Sequence, residues 1–106
     1  MIINDKAGIK EEVIEKLKAV YDPEIPVDIF ELGLVYELNT FPEGIVKVTM
    51  TLTAPACPAA DLILRDVEQK VGEIESVKEV RVEITFDPPW DRDMMSEEAK
   101  LELGFL

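Results

Sequence analysis

The sequence predicts a small α/β protein: a three-stranded mixed sheet packed with two main helices and a short C-terminal helix. Three observations predict it. Apolar residues recur at helical spacing from Ile9 to Tyr21 and again from Ile63 to Ile74. Alternation of apolar and polar residues marks Ile45 to Thr53 and Val77 to Phe86. A Phe41-Pro42-Glu43-Gly44 turn joins the first of these alternating runs to an earlier strand. At 106 residues the chain has room for one hydrophobic core, since domains cluster near ~100–150 residues, and residues 1–106 read as a single domain.

In the first helix Ile9, Val13, Leu17 and Val20 form the apolar stripe, and Glu12 and Lys16 stand four apart as an ion pair on the other side. The helix should stop near Asp22, because Pro23 disfavours α geometry in the residue before it and Pro26 blocks a restart. Asp22 to Gly33 carries the apolar residues Ile25, Val27, Ile29 and Phe30, too many for a solvated linker. It reads as an ordered loop pinned to the core, with a short helical turn around Asp28 to Leu32.

Leu34 to Thr40 reads as the first strand and Ile45 to Thr53 as its hairpin partner. There Val46, Val48, Met50 and Leu52 make the core face, and Lys47, Thr49, Thr51 and Thr53 the other. After Ala54-Pro55-Ala56-Cys57-Pro58 the residues Ile63, Val67, Val71 and Ile74 mark the second helix. Pro58 suits its first turn, where a missing N–H costs nothing, and Asp61 complements the positive end of the dipole. Val80, Val82, Ile84 and Phe86 then alternate with Arg81, Glu83 and Thr85 in a third strand that Asp87-Pro88-Pro89-Trp90 breaks. Ser96, followed by Glu97 and Glu98, reads as the N-cap of the last helix and Gly104 as its stop. If the strand before Cys57 and the strand after the second helix are parallel neighbours, that helix is the crossover between them, and the helices fall on one face.

Asp and Glu number 23 against 11 Lys and Arg with no His, a net charge of −12. Nucleic acid is excluded as a partner, because binding to phosphates needs a basic footprint, and an anionic membrane surface is disfavoured for the same reason. Partners docking here should present basic surfaces, with association that weakens as salt rises. No apolar run approaches the ~18 residues of a membrane span and no secretory leader is present, so a cytoplasmic protein is the simplest reading. Without His there is no imidazole base and no Cys-His nucleophile; chemistry falls to Cys57, carboxylates, hydroxyls or Lys.

Cys57 stands where a strand ends and a helix begins, a place where backbone N–H groups and the helix dipole favour the thiolate. Small neighbours, Ala54, Ala56, Ala59 and Ala60, leave room for a bulky group. The competing reading is a small buried hydrophobe, the commonest fate of a free cysteine. Iron–sulfur clusters take four thiolates and structural zinc four ligands, so one chain holds neither alone. Asp22 and Glu24 flank a rigid proline and read either as a polar binding pair or as a solvated helix stop. The threonines are ordinary strand composition unless they face the cysteine; Thr53 is only a few residues from it. Trp90, within DPPWDRDMM, reads equally as a cap on the core or as a partner-binding edge.

Taken together, DPEIPVDIFELGLVYEL (Asp22 to Leu38), MTLTAPACPAAD (Met50 to Asp61) and ITFDPPWDRDMMSEEAKLELG (Ile84 to Gly104) resemble the small iron–sulfur assembly domain family. That family includes SufT, the PaaD protein of phenylacetate degradation and the eukaryotic cytosolic iron–sulfur targeting adaptor. The resemblance spans nearly the whole chain and fits a short stand-alone member of the SufT type, since the chain ends at Leu106 without a further cysteine-rich region. It implies an accessory factor in cluster assembly or delivery rather than an enzyme. It also implies that Cys57 is a transient ligand to iron or to a cluster, with Asp22 and Glu24 the acidic motif and Thr51 and Thr53 the hydroxyl-bearing strand end. Many relatives carry Gly where this chain has Ala56, which bears on the loop shape there. The expected partners are carrier or client proteins. A whole cluster would be shared in a homodimer or in a mixed complex with a carrier. The alternative is a metal-free adaptor that recruits clients or carriers through the Asp22 and Trp90 loops. A thiol enzyme or redox sensor is weaker, for want of a His or a resolving Cys.

Overall fold

The computed structural model describes residues 1–22, 25–53 and 60–104. Its elements run β1 (Ile2–Asp5), α1 (Lys10–Leu17), β2 (Val35–Phe41), β3 (Ile45–Met50), α2 (Ala60–Gly72), β4 (Glu79–Ile84), a 3-10 turn at Arg92–Met94 and α3 (Glu97–Glu102). The sheet has four strands in the order β1-β2-β3-β4, not the three read from the sequence. β1 lies parallel to β2, β2 antiparallel to β3, and β3 parallel to β4. Two strand–helix–strand units are thus joined by the β2–β3 hairpin.

The additional strand is too short to announce itself by periodicity, and it exists because it completes an edge. Ile2 to Asp5 pairs with Glu37 to Thr40, and the Asn4 side-chain amide donates to Asn39 Oδ1 at 2.9 Å. Asp5 then fastens three elements. Its carboxylate accepts the Ile9 and Lys10 N–H groups at 3.0 and 3.1 Å, starting α1, and the hydroxyl of the fully buried Thr40 at 2.6 Å. Burial alone would raise the Asp5 pKa. The Thr40 hydroxyl and the two backbone N–H groups favour the charged form, and the net effect is a lowering.

Helix α1 ends at Leu17, short of the Tyr21 limit its pattern suggested. The chain tightens through Ala19 N–H to the Lys16 carbonyl and Val20 N–H to the Leu17 carbonyl. Val20 then accepts Ile29 N–H at 2.9 Å, and Tyr21 bridges Asp28. Val20 is fully buried all the same, so the apolar stripe outlasts the helix that displays it. Lys16 does not pair with Glu12; it reaches Glu73 at the end of α2, at 3.0 Å. The two helices lie side by side, and a cross-helix partner wins over one on the same helix.

The core lies between the helices and one face of the sheet. Val13 and Leu17 of α1 and Ile63, Val67 and Val71 of α2 meet Leu38, Val46, Val48 and Met50, all at or near complete burial. Each such side chain contributes ~1.5–3 kcal/mol by leaving water. On the opposite face Glu37, Asn39, Lys47 and Thr49 stay partly exposed. Helices cover one side only, as the alternation in β3 required.

Ser96 Oγ accepts Ala99 N–H at 3.1 Å and Gly104 ends α3 at φ +81°, both as expected. Gly33 is a sharper constraint. It sits at φ +78°, and a Cβ there would lie 2.1 Å from the Met94 carbonyl oxygen. Gly104 shares the positive φ but faces open space. Gly33→Ala should therefore cost about 3 kcal/mol or more in chemical denaturation, and Gly104→Ala about 1 kcal/mol. Equal losses at the two positions would contradict the close approach.

Candidate functional site

The segment from Ile25 to Leu34 is the platform to which two of the candidate residues, Thr51 and Trp90, attach. Asp28 organises its far end. Its Oδ1 accepts the N–H groups of Phe30 and Glu31, each at 3.0 Å, making the short turn expected at Asp28 to Leu32. Burial raises the Asp28 pKa, and the charge of Glu31 adds to the rise, against the two N–H groups that favour the carboxylate.

Three backbone carbonyls of the platform then receive the rest of the chain. Glu31 O takes Ser96 N–H at 2.9 Å, Leu32 O takes the Trp90 indole N–H at 2.7 Å, and Leu34 O takes Thr51 N–H at 2.8 Å. The end of β3 and the segment after β4 are thereby tied to one stretch of four residues.

Trp90 is half-buried against the core, its indole nitrogen satisfied. Met95 behind it is buried. A cavity of about 290 Å³ opens beside the indole, lined also by Ile25, Leu32, Met95 and Leu103. Tyr36, at the β-bulge between Val35 and Glu37, donates its hydroxyl to Pro88 O at 2.9 Å with Met94 Sδ at 3.4 Å. The Asp87–Pro88 peptide bond is cis. Desolvation raises the Tyr36 pKa and the charge of Asp91 reinforces the rise. A larger cavity, about 490 Å³, lies in front of Tyr36 between Met1, Ile2, Phe30, Pro88 and Met94.

Thr51 departs most from its sequence reading as a residue of a half-exposed ladder. It lies just past β3, is fully buried, and its Oγ1 is the one buried side-chain polar atom without a hydrogen-bond partner among the described residues. The Tyr36 hydroxyl is committed to Pro88 O instead. An orphan hydroxyl of this kind costs about 1–3 kcal/mol. Thr53 is half-buried, and Asp22 is 5 % exposed, with its backbone carbonyl taking Ile25 N–H at 3.3 Å. Cys57 and Glu24 lie outside the described residues, as do Ala56 and the helix start expected at Pro58. Among the described residues no three carboxylate, Cys or His side chains come together as a metal site. The polar residues that the sequence did not single out are Tyr36 and Asp28. Tyr36 carried no signal, because its role depends on where Pro88 and Met94 fold back; Asp28 was visible only as the start of the expected turn.

This arrangement is a one-sided α/β sheet whose platform loop gathers the end of β3 and the C-terminal segment. The family model for iron–sulfur cluster assembly proteins matches residues 10–84, and the chain belongs to that family. It is 53% identical over 103 residues to an Fe-S protein maturation auxiliary factor of Porphyromonas gingivalis, covering 97% of this chain and 98% of that one. It is 45% identical over 85 residues to the Fe-S protein maturation auxiliary factor SufT of Staphylococcus aureus, covering 80% of this chain and 97% of the relative. A crystal structure of a domain of unknown function from Bacillus anthracis superposes with a TM-score of 0.88 at 35% identity, covering 95% of this chain and 96% of that one. No helix among the described residues is long and apolar enough to cross a membrane.

Two outcomes follow for stability. Thr51→Val keeps the shape and removes the orphan hydroxyl, so it should raise the unfolding free energy by about 1 kcal/mol; a loss of similar size would mean that the hydroxyl is satisfied. Because the folded-state pKa of Asp28 is raised, its contribution is fully present below the unfolded value and is lost as pH rises through the folded one. Asp28→Asn keeps an acceptor for Phe30 and Glu31 without the charge. It should match wild type near pH 3 and exceed it at pH 7, whereas Asp28→Ala should lose about 1 kcal/mol near pH 3 and less than that at pH 7, read by denaturant melts.

Proposed function

We propose that this protein is an accessory factor in iron–sulfur cluster assembly or delivery, working in the cytoplasm on client apoproteins or with cluster carriers and catalysing no turnover reaction of its own. The observation that carries this reading is membership of the iron–sulfur cluster assembly family in a chain with one cysteine and no histidine. Cys57 is then the thiolate that holds iron or a cluster in transit, a soft ligand suited to that cargo. One thiolate leaves a cluster unsaturated, so the cargo is held between two chains or between this chain and a carrier. That incompleteness suits a factor that must let its cargo go.

The buried hydroxyl of Thr51, six residues before Cys57, supports a polar guest at this end of the sheet. Asp22 and Glu24 are the acidic motif of this reading, and Thr51 and Thr53 its hydroxyl-bearing strand end. The net charge of −12 favours partners with basic surfaces. A second reading, a metal-free adaptor that recruits clients through the Asp22 and Trp90 loops, is favoured by the mainly apolar cavity beside the indole, which Arg92 also lines.

Anaerobic reconstitution with iron and sulfide, followed by visible absorption, separates the two. Wild type should develop the charge-transfer bands of a thiolate-bound cluster and Cys57→Ala should not. Bands of equal strength in both chains, or none in either, would remove the ligand role and leave the adaptor.

A further inference from the structure

Strand β4 closes the sheet on one side, and its outer edge carries backbone groups that the described residues leave unpaired. Glu79 N–H reaches Gly44 O at 3.1 Å and Thr85 N–H reaches Met50 O at 2.9 Å. The odd-numbered residues of β4 therefore turn their backbone toward β3, and Val80, Val82 and Ile84 turn theirs outward. The side chains of the same three residues, on the helix-covered face opposite Val46, Val48 and Met50, are only half-buried, while those three partners are fully buried. The edge is thus open in both its hydrogen bonds and its apolar row.

We propose that a second copy of this chain pairs along this edge, β4 against β4 antiparallel, about a two-fold axis through Val82. The charge pattern selects this register. An axis at Arg81 sets Arg81 against its own copy and Glu79 against Glu83; an axis at Glu83 sets Glu83 against itself. An axis at Val80 runs Ile84 past the end of the facing strand. With the axis at Val82, Arg81 faces Glu83 on both sides of the axis, Val80 faces Ile84, and Glu79 faces Thr85. The residues whose backbone points outward then fall opposite one another, so that each of these pairs exchanges both N–H···O bonds, and one continuous sheet crosses both copies. Arg81 now pairs with Glu79 on its own strand, and Glu83 with Lys47 at 3.0 Å. Both are exposed ion pairs of little energetic weight, free to exchange for cross-strand ones. This interface stands on the strand edge alone and does not rest on the cargo reading.

Sedimentation equilibrium of the metal-free full chain, from about 1 μM to about 1 mM at physiological salt, should show a monomer–dimer equilibrium. Physiological salt matters because two bodies of charge −12 repel at low ionic strength. Val82→Pro removes an outward N–H and no bond to β3, so it should fold and remain monomeric. Arg81→Glu alone and Glu83→Arg alone each set like charges in register and should weaken self-association about tenfold or more. An equimolar mixture of those two chains sets opposite charges at both positions and should recover wild-type affinity; this arm decides the matter even if the proline chain fails to fold. A wild-type chain that stays monomeric at the highest concentration overturns the proposal. So does a folded Val82→Pro dimer, or a mixture that associates no better than its components.

Discussion

Gly33 stands where the platform between α1 and β2 meets the C-terminal segment, and the Met94 carbonyl occupies the space a side chain would need. Around that contact the carbonyls of Glu31, Leu32 and Leu34 bind Ser96, Trp90 and Thr51. The loop between α1 and β2 is therefore the hub to which distant parts of the chain attach. Positive φ and the absence of a Cβ both enter, because the backbone must turn and be approached at the same residue. Remove that approach and the Trp90 segment, the end of β3 and the start of α3 lose their common reference.

The rest of the architecture divides labour between the faces of the sheet. One face is spent on the core with α1 and α2. The other stays polar along most of its length, and at one end the segment from Pro88 to Met94 folds back onto Tyr36. Thr51 is caught at that closed end, in a position where its neighbours along the strand suggested half exposure. A buried hydroxyl without a partner among the described residues is tolerated at a cost.

Much of this was legible before any coordinates. The alternation of Val46, Val48 and Met50, the helical spacing of Ile63, Val67 and Val71, and the Ser96 cap rest on periods of 2 and 3.6 that the local chain enforces, and each is found where expected. β1 was not legible, since four residues carry too little pattern and the strand is stabilised by the exposed edge of β2 rather than by its own sequence. The partner of Lys16 was misread for a related reason: local spacing offered Glu12, and helix packing supplied Glu73. Of the candidate site, Asp22, Thr51, Thr53 and Trp90 could be named from the sequence. That Thr51 is sealed while Trp90 hangs from Leu32 depends on contacts between residues far apart in the chain.

The sequence by itself determined the mixed α/β class, the core-facing residues of β3 and of α2, the acidic composition, and the arithmetic of one thiolate with no imidazole, because these follow from composition and short-range periodicity. Only the tertiary structure decided that a fourth strand completes the sheet, that a loop of four residues gathers three remote segments, and that the outer edge of β4 is left open. The physical reason is the same in each case. Backbone hydrogen bonds between remote segments carry no side-chain signature, so they are written in the fold and not in the order of residues.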